Sequence, residues 1–258
     1  MLIAQLTDFH VTVPGARVGG SVDTRANFDA LVAYVGAMRP RPDLLLVSGD
    51  LAEAGVEAEY AHVRAGLDNL GIPYLAVPGN HDMRAPMRAA LGPRTGSEAG
   101  HLGLAADLPG LRVVGLDTLV EGAGHGAIGD AQLGWLQDIL GAGDGRPVLL
   151  VLHHPPFVTG IPAFDAIGLR EGRSALEALL RGRSDIAGLL CGHVHRALVG
   201  TFAGHRVFVA PSASHQFALD LETPGSFRVV REPPQIALHR LVDGRLVSCL
   251  VPAAAAGG

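Results

Sequence analysis

The chain has 258 residues, a formal net charge of −5 and only two cysteines, Cys191 and Cys249. That length fits one large domain whose core needs no staple, and two cysteines exclude both a disulfide framework and a four-cysteine zinc site. No basic run marks a nucleic-acid groove, no stretch of about 18 apolar residues marks a membrane span, and the start Met1–Asp8 lacks the basic region of a signal peptide, so a cytoplasmic protein is expected.

Short aliphatic runs bounded by Gly, Pro or Asp predict strands at Leu2–Leu6, Leu44–Val47, Tyr74–Val77, Leu111–Leu116, Val148–Leu152, Ile186–Leu190 and Val207–Ala210. Their near-continuous apolarity predicts burial on both faces. Between them, three-to-four spacing of apolar residues predicts helices over Ala26–Met38, Val56–Leu70, Ala131–Leu140 and Ala175–Leu180. Asp130 is expected to cap the third, and Ser174-x-x-Glu177 has the form of a capping box for the fourth. Arg84–Gly110 and Pro155–Gly172 are read as long loops. Ile236–Leu241 and Arg245–Val251, joined through Asp243-Gly244, predict a β-hairpin. The order is that of an α/β chain.

The polar chemistry follows the apolar runs. Asp8-Phe9-His10, Gly49-Asp50, Gly79-Asn80-His81-Asp82, His153-His154-Pro155 and Gly192-His193-Val194-His195 each stand just after a predicted strand. In α/β sheets ligands bind outside the carboxyl ends of strands, so these five groups are expected to converge. Asp8 and His10 are two apart, as are His193 and His195; in extended backbone each pair points one way. Taken singly, each group is an ordinary turn or strand end. Together and in this order they are not.

Imidazole, carboxylate and amide oxygen without thiolate suit first-row dications such as Mn, Fe, Co, Ni or Zn. There are too many such groups for one tetrahedral ion. They suit two ions sharing a bridging carboxylate, an arrangement that serves phosphate chemistry.

This series of motifs resembles that of the calcineurin-like metallophosphoesterases. His153-His154-Pro155-Pro156 and the spacing are similar to the class III cyclic-nucleotide phosphodiesterase and glycerophosphodiesterase branch. The resemblance runs from residue 2 to about residue 217. It implies a four-layer α/β/β/α sandwich of two mixed sheets flanked by helices; on length and pattern, residues 1–252 are expected to form a single domain ending in the hairpin at about 235–251, and the low-complexity tail 253–258 to be frayed. It implies that Asp8, His10 and His195 hold one metal ion. Asp50, Asn80, His153 and His193 hold the second, with Asp50 bridging both. Only the resemblance selects His153 over His154. The expected cofactors are two divalent ions (Fe, Mn, Zn or Co, with Mn and Fe favoured).

The expected reaction is hydrolysis of a small phosphodiester, a cyclic nucleotide such as cAMP or a glycerophosphodiester, by a hydroxide bridging the ions, with His81 giving a proton to the leaving alkoxide. Asp82 orients His81 or caps the next segment. His215, His125 and His154 are weaker candidates for supporting or substrate-facing roles. Arg84 and Arg170 are candidates for phosphate contacts, and Phe157 for stacking a base or packing its loop. His62 is expected on an exposed helix face, and His101, His205 and His239 in structural roles. The alternatives are a phosphomonoesterase of the same fold or a non-catalytic scaffold. The chain does not open on the His-x-His of amidohydrolases and has no His-x-His-x-Asp-His string of metallo-β-lactamases. No nucleic acid or membrane partner is expected, and a homo-oligomer is.

Overall fold

Aliphatic runs too short and too uniformly apolar for surface helices form the strands, and the amphipathic stretches between them return the chain over the outer faces. The structure, a computed structural model, describes residues 1–96 and 100–253. In chain order the elements begin with β1 (Leu2–Leu6), α1 (Thr24–Ala37), β2 (Leu44–Ser48), α2 (Glu57–Leu70), β3 (Tyr74–Val77), α3 (Arg84–Leu91), β4 (Leu104–Leu108), β5 (Leu111–Leu116) and β6 (Gly126–Ala127). They continue with α4 (Asp130–Gly141), β7 (Val148–Leu152), α5 (Pro162–Asp165), β8 (Leu169–Glu171), α6 (Arg173–Leu180), β9 (Ile186–Cys191), β10 (Leu198–Phe202) and β11 (His205–Val209). The chain ends with β12 (Gln216–Phe217), β13 (Val229–Val230), β14 (Gln235–Val242) and β15 (Arg245–Pro252).

Two mixed sheets result. One has five strands in the order β15-β14-β1-β2-β3, the other six in the order β10-β11-β9-β7-β5-β4. β1, β2 and β3 run parallel, and the hairpin β14–β15 closes antiparallel on the free edge of β1, with Leu2 opposite Arg240. In the second sheet β5, β7, β9 and β11 are parallel and β4 and β10 flank them antiparallel.

Three apolar clusters define the four layers. Between the sheets lie Ile3, Leu44, Leu46 and Val77 from the first and Val113, Leu149, Val151 and Leu190 from the second. The opposite face of the first sheet, with Ala4, Leu6, Leu45 and Val47, packs on Phe28, Leu31 and Val35 of α1, Tyr60, Val63 and Leu67 of α2 and Met87 of α3. The opposite face of the second, with Val114, Leu150, Leu152 and Leu189, packs on Leu133, Leu136 and Leu140 of α4 and Leu176 and Leu180 of α6. The strand period of two thus puts alternate residues into different layers, and the α/β/β/α sandwich is what the sequence reading expects.

Local expectations fail where side chains compete for caps. Gly129, not Asp130, is the N-cap of α4, and Asp130 is its first helical residue. Gly172 stands at the N-cap of α6 with no side-chain cap, so the Ser174–Glu177 capping box does not form. Gly172 is left-handed (φ +74°), a conformation that serine adopts at a cost. The stretch Arg84–Gly110 is not one loop, since it holds α3 and β4, and Pro155–Gly172 holds α5 and β8. Phe157 packs its ring where a Cβ on Gly200 would fall, so it seats its loop on β10. His62 is not exposed but half-buried, between Asp29 (2.7 Å) and Arg25 (2.8 Å) of α1. Ala253 is buried and its amide donates to the Pro234 carbonyl at 2.7 Å, so the expected frayed tail does not start there. The remainder of that expectation, 254–258, lies outside the described residues. Among the described residues, no helix is long and apolar enough to cross a membrane.

Candidate metal centre

Strands β1, β2, β3, β7 and β9 end along one rim, and the residues that follow them meet there. The turns are steep. Asp8 (φ 54°), His10 (49°), Asp50 (51°), His193 (75°) and His195 (58°) all adopt left-handed backbone, which non-glycine residues rarely adopt. This corrects the expectation of extended Asp8-x-His10 and His193-x-His195 pairs. The side chains converge because the backbone is wound, and strain of this kind clusters at functional sites. Two glycines make the close approach possible. A Cβ on Gly79 would lie 2.2 Å from Asp50 Oδ1, and one on Gly192 would lie 2.1 Å from Thr7 Oγ1.

The ring nitrogens can be assigned from their partners. A backbone carbonyl only accepts, so the nitrogen facing it carries the proton. His153 Nδ1–H therefore donates to the Ser48 carbonyl (2.8 Å) and His195 Nδ1–H to the His215 carbonyl (2.8 Å). His10 Nδ1–H donates to the Glu53 carboxylate (2.7 Å). Each leaves Nε2 as the ring nitrogen that points inward, the one a metal ion would take. The Nε2 atoms of His10 and His195 lie 3.0 Å apart, beside Asp50 Oδ2 (3.4 Å from His10) and Asp8 Oδ1 (3.4 Å from His195). Two imidazole nitrogens this close together beside two carboxylates make a site for a cation.

A second set adjoins it. His153 Nε2 lies 3.1 Å from Asn80 Oδ1 and 3.4 Å from Asp50 Oδ2. His193 Nδ1 lies 2.9 Å from Asn80 Oδ1 and 3.3 Å from His153 Nε2, while its Nε2 is buried without a partner. Asp50 Oδ2 thus stands between the two sets. Asp8, His10, Asp50 and His195 place one donor atom each within 4.8 Å of one another. The donor set, oxygen and nitrogen without sulfur, fits first-row dications.

The carboxylates are held as anions. Burial alone would raise Asp50, yet His153 and His10 beside it bring its carboxyl well below the usual range. Asp8 is likewise lowered against its burial, chiefly by His195. Both Asp8 oxygens accept from the His193 amide (3.1 Å each), Thr7 Oγ1 donates to Oδ2 (2.6 Å), and Ser212 Oγ holds the Asp8 carbonyl (2.8 Å).

His81 borders the first donor set, its ring 4.5 Å from that of His10 and its amide donating to Asp50 Oδ1 (2.8 Å), and with His10 and Glu53 it forms a further group that could hold an ion. Its side chain is 38% exposed, and Nδ1–H donates to the Glu53 carbonyl (3.1 Å), with the Glu53 carboxylate at 3.4 Å. Burial lowers its basicity, but Asp50 and Glu53 outweigh that and raise it. Asp82 does not touch the His81 ring. It accepts from the amides of Gly79 (2.9 Å), Leu51 (3.2 Å) and Ala52 (3.2 Å) and from the Tyr60 hydroxyl (3.0 Å), tying the Asp50 loop to the Asn80 loop.

The weaker candidates divide. The His215 ring lies 4.6 Å from that of His195 and 5.1 Å from that of His10, at the site's edge. His154 is buried against His153, but both its nitrogens are spent. Nε2–H donates to the Gly124 carbonyl (3.2 Å) and Nδ1 accepts from Thr118 Oγ1 (2.8 Å), and burial takes its basicity down to about 3. His125 is half-buried, close enough to His154 to help lower its basicity, and enters no metal-ligating group found among the described residues. The Arg84 guanidinium is taken by Asp117 (2.7 and 3.0 Å) and the Leu119 carbonyl, and Arg170 donates to the Ala166 carbonyl. Sequence reasoning missed Glu53 and Tyr60. Glu53 follows Asp50 by three residues, a spacing that a turn after a strand end folds back onto the site.

The calcineurin-like phosphoesterase family model matches residues 1–197. A probable glycerophosphodiester phosphodiesterase of Arcobacter nitrofigilis is 32% identical over 240 residues, covering 93% of this chain and 88% of that protein. A probable cyclic nucleotide phosphodiesterase of Synechococcus is 35% identical, covering 88% and 89%. The 3',5'-cyclic adenosine monophosphate phosphodiesterase of Escherichia coli K12 is 30% identical, covering 94% and 90%. Among solved structures, purple acid phosphatase from yellow lupin superposes with a TM-score of 0.70 at 13% identity, covering 98% of this chain and 51% of that one, a likeness of fold.

Proposed function

The chain belongs to the calcineurin-like phosphoesterase family, and on that premise we propose that it is a dinuclear metal-dependent phosphodiesterase acting on a small phosphodiester, a cyclic nucleotide such as cAMP or a glycerophosphodiester. The observation that carries this is the set of Nε2 atoms of His10, His153 and His195, turned inward beside Asp8 and Asp50 while each Nδ1 is held from behind. Asp8, His10 and His195 would hold one ion, and Asn80, His153 and His193 the other, with Asp50 between. Two dications bound there supply Lewis acidity for the phosphoryl oxygens and a nucleophile at neutral pH.

The chain's own residues do the rest. Glu53 fixes the His10 tautomer and so keeps Nε2 available. The Ser48 and His215 carbonyls do the same for His153 and His195. His81, raised toward its protonated form and half-exposed, has Nδ1 committed to Glu53, which leaves Nε2–H to protonate a departing alkoxide. Similarity to named diesterases of both substrate classes supports a diester over a monoester. The same reading takes Mn or Fe as the working ions and the cytoplasm as the setting, which two unpaired cysteines support.

The test strips metal with a chelator, reloads with Mn, Fe, Zn or Co, and measures bound metal and turnover together. The expected result is two ions per chain and hydrolysis of bis(p-nitrophenyl) phosphate, cAMP or a glycerophosphodiester, all lost on chelation. Preference for p-nitrophenyl phosphate would make it a monoesterase, and two bound ions without turnover would make it a scaffold.

A further inference from the structure

Directly after His215 the chain makes a small hairpin. β12 pairs with β13, Phe217 opposite Val229, and the Ala218 amide donates to the Arg228 carbonyl (2.8 Å). Its base is tied to the metal centre. Arg196, next to His195, donates to the Phe217 carbonyl (2.6 Å) and forks onto Glu232 (2.7 and 3.0 Å). Yet its far end shows apolar side chains to solvent: Leu219 is 56% exposed, Leu221 60% and Phe227 40%.

The phenylalanines of this hairpin form a run of rings that starts at the site. Phe217 tilts over His195 with centroids 4.7 Å apart, and Phe164 meets His193 edge-on at 5.6 Å. Phe227 packs on both, 5.7 Å from Phe217 and 5.3 Å from Phe164. It is the outermost ring, one ring removed from two proposed ligands, and the only one of the three that is exposed. One buried and one partly buried neighbour, Phe164 and Phe217, fix its orientation while part of its surface stays open.

Resting on the phosphodiesterase reading above, we propose that Phe227 is a specificity-determining residue that receives a planar nucleobase of the substrate, so that the substrate class is nucleotide diesters. A diester whose phosphate sits at the ions and whose organic group extends along this run of rings brings that group to Phe227. A glycerol group is hydrophilic and gains nothing from exposed apolar rings, whereas a base has an apolar face to bury. Base-on-aromatic stacking, measured by truncation to alanine, changes affinity by about 5- to 150-fold. Phe157, the other candidate for stacking, is committed to Gly200.

The experiment uses the Mn-loaded full chain and measures kcat and KM for cAMP, glycerophosphoethanolamine and glycerophosphocholine. Phe227→Ala is expected to raise KM for cAMP about 10-fold with kcat little changed, and to leave KM for glycerophosphoethanolamine alone. Phe227→Tyr, which keeps the ring, restores the wild-type KM. A rise shared by all substrates, or no rise for cAMP, overturns the proposal. So does a rise confined to glycerophosphocholine, which would mean that the ring serves a quaternary ammonium. Failure of the wild-type protein to hydrolyse any diester is a separate result and removes the phosphodiesterase reading itself.

Discussion

Five residues of the metal centre hold a backbone conformation that they do not favour, and four of them bring an imidazole or carboxylate whose other end is already fixed. His195 is an instance: φ is +58°, Nδ1 is bonded to the His215 carbonyl, and only Nε2 is left for function. His81 differs, because its backbone is not among the strained ones and its ring is half-exposed, as a group that meets substrate must be. His81→Ala is therefore expected to cut kcat by about 10²-fold with an alkoxide leaving group, and much less with p-nitrophenolate, which leaves unaided. Equal losses on the two substrates would remove the proton-donor role. Which residues meet at the site was legible in the sequence, because each stands after an aliphatic run. Their conformation was not, since nothing in Asp8-Phe9-His10 announces two left-handed residues. Glu53 escaped for a related reason: it reaches His10 only because that winding turns the ring toward it.

At the level of elements, strands were legible and caps were not. Leu2–Leu6, Tyr74–Val77, Leu111–Leu116 and Val148–Leu152 start and stop where aliphatic runs do, because burial on both faces tolerates nothing else. Caps depend on which of several small residues takes the turn, and glycine at 129 and 172 took it from Asp130 and Ser174. The hairpin bearing Phe227 was illegible, since its strands are two residues each and Leu219, Leu221 and Phe227 lie in the loop between them, which is neither helix nor strand. Helix α2 has a part in the site that no pattern shows. Its Tyr60 hydroxyl donates to Asp82 and accepts from the Met83 amide (2.7 Å), closing the clasp that binds the loops after β2 and β3. Tyr60→Phe removes only that oxygen. It is expected to lower stability by about 1–2 kcal/mol in urea titration, the range for a buried hydrogen bond whose partners are left short. Unchanged stability would show that the clasp closes without it.

Across the whole molecule the two sheets are joined by polar contacts as well as by their shared apolar layer. Gln5 of β1 donates to Ser48 Oγ (2.9 Å) and to the Cys191 carbonyl of β9 (2.8 Å), and its Oε1 accepts from His239 Nε2–H of β14 (3.0 Å). His239 Nδ1 lies 2.7 Å from Ser248 Oγ of β15, a hydroxyl that can donate to the neutral ring. Burial takes it from the ordinary 6.5 down to about 4. A base weakened by folding takes up its proton first in the unfolded chain. Its contribution is whole above pH 6.5 and shrinks as pH falls toward 4. Between pH 7 and pH 5 the loss comes to about 2 kcal/mol. His239→Gln is expected to flatten the fall in urea-unfolding free energy over that interval by this amount; an unchanged slope would place the titration elsewhere. The same hairpin has a consequence for the order in which the molecule is made. β1 lies in the middle of its sheet, between β2 and β14. β1 leaves the ribosome before the other strands of its sheet, and β14, which covers its open edge, follows only after all the strands of the second sheet. Asp8 and His10, at the tip of β1, are thus made before the other residues of the site, and until the hairpin β14–β15 arrives the strand that carries them has an edge bare to any passing chain.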